Sequence, residues 1–113
     1  MTRGRVVLVA FPFDDRSAVK LRPAICLTEP AGPFAHITLA FVTSRPPAIS
    51  LPSDLTLAAS RDGFAATGLR ATSVVRLHRL LTLGADAIER DLGQLSADMQ
   101  ADVDERLRAL FWL

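Results

Sequence analysis

The chain has 113 residues, the size of one domain, and half of them are hydrophobic, which excludes a disordered chain. A single cysteine, Cys26, excludes an intrachain disulfide, and with only two histidines and no ligand spacing a zinc site is excluded as well. The net charge of +1 conceals a division: residues 1–80 carry ten basic and five acidic side chains, residues 81–113 three basic and seven acidic. A basic body with an acidic end element implies an anionic partner on one side only. Twelve of the thirteen cations are arginine. The planar guanidinium fork suits phosphates, although codon bias would also favour arginine over lysine.

Taken in chain order, Val6, Val7, Leu8, Val9, Ala10 and Phe11 form an apolar run between Gly4 and Pro12, which predicts a strand buried on both faces. Arg3 and Arg5 before that run faintly resemble a signal peptide. The run is too short and Pro12 breaks it, so a cytoplasmic protein is expected. No stretch approaches the length of a membrane span. Residues 13–21 are polar and predict a loop; Pro23 opens a second strand over 24–28. Cys26 lies in that apolar strand and reads as a small buried hydrophobe. Pro30, Gly32 and Pro33 mark a turn before a third strand at 36–42, with His36 at its surface end.

Residues 43–72 contain three prolines and two glycines and predict a long functional loop, with room for a short strand at 49–51. Residues 73–80 predict a strand with Val75 and Leu77 on one face and Val74, Arg76 and His78 on the other. Residues 87–95 fit a helix or a strand equally. Ser96 is a good N-cap for a helix at about 97–111, with Asp98 in its first turn and Met99, Val103, Leu107, Leu110 and Phe111 on one face. Trp112 is expected to complete that face. Strands followed by one terminal helix, without alternating βαβ units, predict a mainly β fold: a small twisted barrel closed by a C-terminal α-helix, as one domain over 1–113.

No glycine-rich phosphate loop or nucleophile elbow is present. Asp14 and Asp15 are adjacent, point apart in an extended loop, and make a poor carboxylate pair. Arg22, by contrast, opens the second strand, while Thr43 and Ser44 close the third, followed by Arg45. Consecutive strands are commonly neighbours, and if these two are antiparallel Arg22 and Thr43 share a rim, with Arg16 and Lys20 in the loop above. Cations and hydroxyls converging without a carboxylate cluster describe a phosphate site better than a metal site.

An ordered set of motifs carries a resemblance. Gly4-x-Val6-Val7-Leu8-Val9, Phe11-Pro12-Phe13-x-Asp15 and Lys20-x-Arg22-Pro23-Ala24 come first. Phe41-Val42-Thr43-Ser44-Arg45, Ser73-Val74-Val75-Arg76-Leu77 and Leu92-Gly93-Gln94-Leu95-Ser96 follow. Together they resemble the PemK/MazF family of toxins over residues 4 to about 108. The resemblance implies an SH3-like barrel, a homodimer, and metal-independent, cofactor-free cleavage of single-stranded RNA. It also implies a cognate antitoxin whose acidic, disordered C-terminal segment fills the RNA groove, and it makes residues 88–94 a strand. The family's catalytic arginine and threonine fall on Arg22 and Thr43. Phe13, Arg16, Lys20, Ser44, Arg45 and Arg76 are then expected to contact RNA, with Phe13 stacking a base or packing in the core.

Two departures stand out. Many relatives carry an acidic residue two positions after the arginine of the 73–77 strand, where this chain has His78, a candidate general base or a half-exposed strand residue. The glutamate some MazF proteins place just before the arginine is missing, so no base is assigned. Two alternatives share the barrel: a gyrase poison similar to CcdB, and a catalytically silent RNA-binding module.

Overall fold

The computed structural model describes residues 1–10 and 20–113. Its strands are β1 (Arg5–Ala10), β2 (Leu21–Cys26), β3 (His36–Thr43), β4 (Asp54–Leu57), β5 (Ser73–Gly84) and β6 (Ile88–Gln94), followed by the helix α1 (Ala97–Phe111). All six strands join one antiparallel sheet in the order β4-β5-β3-β2-β1-β6. The mainly β fold with a terminal helix is therefore as expected, and residues 88–94 are a strand. Among the described residues the sheet is not hydrogen-bonded into a closed ring. It is barrel-like because the segment after edge strand β4 crosses to the opposite edge, where the 3-10 turn Ala65–Thr67 packs against β6.

Two apolar clusters fill the two faces of the central strands. One gathers Val6, Ile25, Val42, Val75 and Leu77 under α1, whose Met99 and Val103 are fully buried. The other gathers Val7, Val9, Cys26, Ile37 and Leu39. β1 thus sends Val6 to one cluster and Val7 and Val9 to the other, which is why its sequence is apolar at consecutive positions instead of alternating. Strand β5 serves both clusters by bending. Phe41 pairs with Arg76 and Ala40 with Leu80, so Leu77, His78 and Arg79 form a bulge that carries Val75 and Leu77 to the first cluster and Leu81 and Leu83 to the second.

The structure corrects four expectations. Strand β2 starts at Leu21, so Pro23 lies inside it. The missing N–H is tolerated because the ladder with β3 begins only at Ala24. Residues 49–51 form no strand; the short strand of that region is β4, where Leu55 and Leu57 alternate inward. Residues 43–72 are consequently less irregular than expected, since they also hold the Ala65–Thr67 turn. Trp112 does not complete the helix face: it takes a left-handed conformation (φ 62°) as C-cap and stays 94% exposed, with Phe111 and Leu113 also exposed. Ser96 caps α1 as expected, its Oγ accepting the Met99 N–H at 3.2 Å. No described helix is long and apolar enough to cross a membrane.

Candidate active site

Antiparallel pairing brings the ends of β2 and β3 together. Ala24 pairs with Phe41, and continuing that register two residues outward sets Arg22 opposite Thr43. Both residues, with Ser44, line a cavity of about 440 Å³. The backbone N–H of Arg45 donates to Thr43 Oγ1 at 3.1 Å, a local turn that fixes the hydroxyl at the strand end. The floor is apolar: Leu8, Pro23, Val42 and Leu92 all reach it. Leu8 pairs with Pro23 on β2 and with Arg90 on β6, so three adjacent strands supply one continuous surface.

The far wall is the segment after the Ala65–Thr67 turn. Buried Thr67 holds that turn in shape: its hydroxyl donates to the Phe64 carbonyl at 2.6 Å and accepts the Leu69 N–H at 3.2 Å. Gly68 has φ 74°, and a Cβ there would run into the Leu92 carbonyl; one on Gly93 would run into the Ala66 carbonyl. The two backbones meet at a distance only glycine permits on both sides. This contact places Leu69, Arg70 and Ala71 along the cavity, and β6 contributes Arg90.

The cavity therefore collects three arginines, Arg22, Arg70 and Arg90, and the hydroxyls of Thr43, Ser44 and Ser73; among the described residues no carboxylate lines it. Such a surface stabilises an anion electrostatically and offers forked donors to a phosphate. Sequence reasoning missed Arg70 and Arg90. Arg70 lies within the 43–72 stretch flagged as functional, but Arg90 sits in a segment that reads as acidic, and only the wrap of edge to edge brings it here.

The other expected site residues are placed differently. Lys20 and Arg45 are exposed and do not line the cavity. Phe13 and Arg16 lie outside the described residues, as do Asp14 and Asp15. Arg76 is engaged elsewhere, its Nε donating to Asp54 Oδ1 at 2.8 Å. His78 lies beside the same carboxylate, with Nδ1 3.9 Å from Oδ1, and not in the cavity. Burial first, and then the Arg76 charge, hold its pKa below the ordinary value against the opposing pull of Asp54. The Cys26 thiol is fully buried and pushed up to about 11, mainly by desolvation, so it is inert as a nucleophile.

Fold and site together define a small antiparallel β protein with an arginine-lined groove across one end of its sheet. The chain belongs to the PemK-like, MazF-like toxins of type II toxin–antitoxin systems, whose family model matches residues 2–111. Solved structures share the fold. MazE–MazF from Deinococcus radiodurans (crystal form II) is 23% identical with a TM-score of 0.74, covering 100% of this chain and 96% of that one. The Mycobacterium tuberculosis toxin MazF-mt6 is 21% identical with a TM-score of 0.72, covering 96% and 97%. An endoribonuclease in complex with its cognate antitoxin, from a mycobacterial species, is 16% identical with a TM-score of 0.72, covering 100% and 96%. No curated protein matches the chain by sequence.

Proposed function

We propose that this toxin is an endoribonuclease that cuts single-stranded RNA in the Arg22–Thr43 cavity, using the ribose 2′-hydroxyl as nucleophile. One observation carries the reading: the β2–β3 register sets Arg22 opposite Thr43 in a cation-lined cavity with no carboxylate among its described residues. Membership in a toxin family that includes proteins described as endoribonucleases supports it.

The reaction asks little of the protein beyond placement and charge. The 2′-oxygen attacks phosphorus while its proton leaves to a base; the P–O5′ bond breaks, and the departing oxygen takes up a proton. The products are a 2′,3′-cyclic phosphate and a 5′-hydroxyl. Between them lies a crowded phosphorane carrying extra negative charge on its equatorial oxygens. The Arg22 guanidinium donates two parallel hydrogen bonds to those oxygens, and Thr43, held by its turn with Arg45, donates to a third. Arginine remains protonated throughout, so its part is electrostatic. The apolar floor seats a base or ribose without competing for the phosphate. Ser44 contacts the strand within the cavity, and the exposed Lys20 and Arg45 contact it outside. The protein works as a homodimer, and a cognate antitoxin with an acidic, disordered segment silences it by occupying the same cationic groove.

The test is cleavage of a long, unfolded RNA by the purified protein in EDTA, with fragment ends mapped. Discrete cuts leaving 5′-hydroxyl and cyclic-phosphate ends are expected, and Arg22→Ala should lower kcat/KM by about 10²–10³, as loss of a transition-state donor does. Thr43→Val should fall in the same direction. No cuts in a diverse RNA pool, or cuts indifferent to Arg22, would sink this reading. The exposed Phe111, Trp112 and Leu113, which do not line this cavity, would then direct attention to gyrase.

A further inference from the structure

The described arginines differ in what they meet. Arg3, Arg5, Arg61 and Arg76 each form an ion pair, with Asp104, Asp91, Asp102 and Asp54 respectively. Arg70 and Arg90 are exposed, and among the described residues neither has a hydrogen-bond or ion-pair partner. They nevertheless share one cavity wall. Two like charges lining one cavity with no carboxylate among its described residues favour an anionic occupant. The placement is also not accidental in structural terms. Arg70 leaves a turn locked against β6 by the glycine contact, and Arg90 stands on β6 directly opposite Leu8 of the floor.

The wall is separate from the reacting corner. Arg22 is on β2 and Arg90 on β6, with β1 between them, so their backbones are two strand spacings apart, about 10 Å. A volume of about 440 Å³ with an apolar floor lies in the range of sites that take a whole small organic ligand, well beyond a lone phosphate. We propose that Arg70 and Arg90 form a second phosphate subsite, gripping the phosphodiester next to the one held by Arg22 while the intervening nucleoside lies on the Leu8, Pro23 and Leu92 floor. The cavity thus recognises an RNA segment by two successive phosphates. This rests on the reading of the cavity as an RNA site, and a probe that cannot be cut keeps the two questions apart.

The probe is a fluorescent, fully 2′-O-methylated oligonucleotide, titrated across a salt series with the wild type, Arg70→Gln, Arg90→Gln and, as control, Arg108→Gln. Each cavity variant should bind about tenfold more weakly, as loss of a charged hydrogen bond implies. Each should also flatten the slope of log affinity against log salt by about 0.7, the value for one phosphate contact on a single strand. Arg108→Gln should do neither. In the cleavage assay, the same variants should lose kcat/KM on long RNA but not on a dinucleoside monophosphate, which has no neighbouring phosphate to lose. Unchanged affinity and slope in both variants would overturn the subsite even if RNA is cut. A wild type that binds the probe with these losses but cuts no RNA would leave the subsite standing and overturn the ribonuclease reading. Variants that lose a poly-glutamate peptide while keeping the oligonucleotide would show that the wall serves an acidic protein partner and would overturn the proposal.

Discussion

The bend of β5 and the cavity at the end of β2 and β3 are both built from arginine on the same sheet, yet they are opposites. At the bend, Arg76 donates to Asp54, a carboxylate only 3% exposed that also accepts the Leu51 N–H at 2.8 Å. The Asp54 carbonyl accepts Arg106 Nε from α1, so one residue ties the bulge, the β4 entry and the helix together. In the cavity, Arg70 and Arg90 meet no carboxylate among the described residues. The lesson is that a cation's role follows from whether the fold supplies its counter-charge. Composition alone cannot separate a fastening from a binding group.

That contrast breaks most readily at the fastening. Asp54→Ala strands Arg76 at a partly buried position and also removes the acceptor of the Leu51 N–H, while the backbone carbonyl that Arg106 uses remains; it should cost about 3 kcal/mol of stability, read from chemical denaturation. Arg76→Met keeps the Leu51 contact and removes one charged hydrogen bond, a loss of about 2 kcal/mol. Both variants should cleave RNA normally once corrected for folded fraction. Arg70→Gln and Arg90→Gln should show the reverse: stability within about 0.5 kcal/mol of wild type, with the change confined to nucleic acid. Equal stability losses in the two sets would erase the distinction.

The smallest effect is one of pH. His78 has its pKa lowered in the folded chain, so the unfolded chain takes up the proton first. Stability should therefore fall as pH drops through about 6.5 and level off below the folded value. His78→Gln should remove that component from a series of melting temperatures, leaving the carboxylate-driven acid transition in place.

Much of this was legible in the sequence because it depends on neighbours along the chain. The apolar run from Val6 to Ala10 specified a strand buried on both faces, its sixth residue Phe11 lying outside the described residues, and Ser96 specified the start of α1. The Arg22–Thr43 meeting was legible because it needs only two consecutive strands to run antiparallel. What escaped depends on contacts between distant segments. Strand β4 is four residues long and sits among prolines, and its alternation is too brief to stand out. Arg70 and Arg90 meet only because one sheet edge is carried round to the other. Arg76 is expected from the sequence to contact RNA, since nothing local announces that Asp54 will face it. Its position just after the apolar face of α1 predicts that Trp112 finishes that face, but the left-handed turn at the helix end sends it into solvent.

The close approach of the 66–68 turn to Leu92 and Gly93 also orders events in time. A chain emerging from a ribosome can pair β2 with β1 and β3, and so bring Arg22 and Thr43 together, well before residues 88–94 exist. The opposite wall waits for β6, because the turn before Gly68 has nothing to lean on until Gly93 arrives. The groove is thus among the last features of the molecule to be completed, and a truncated or stalled chain carries the Arg22–Thr43 corner without the Arg70 and Arg90 side of the cavity.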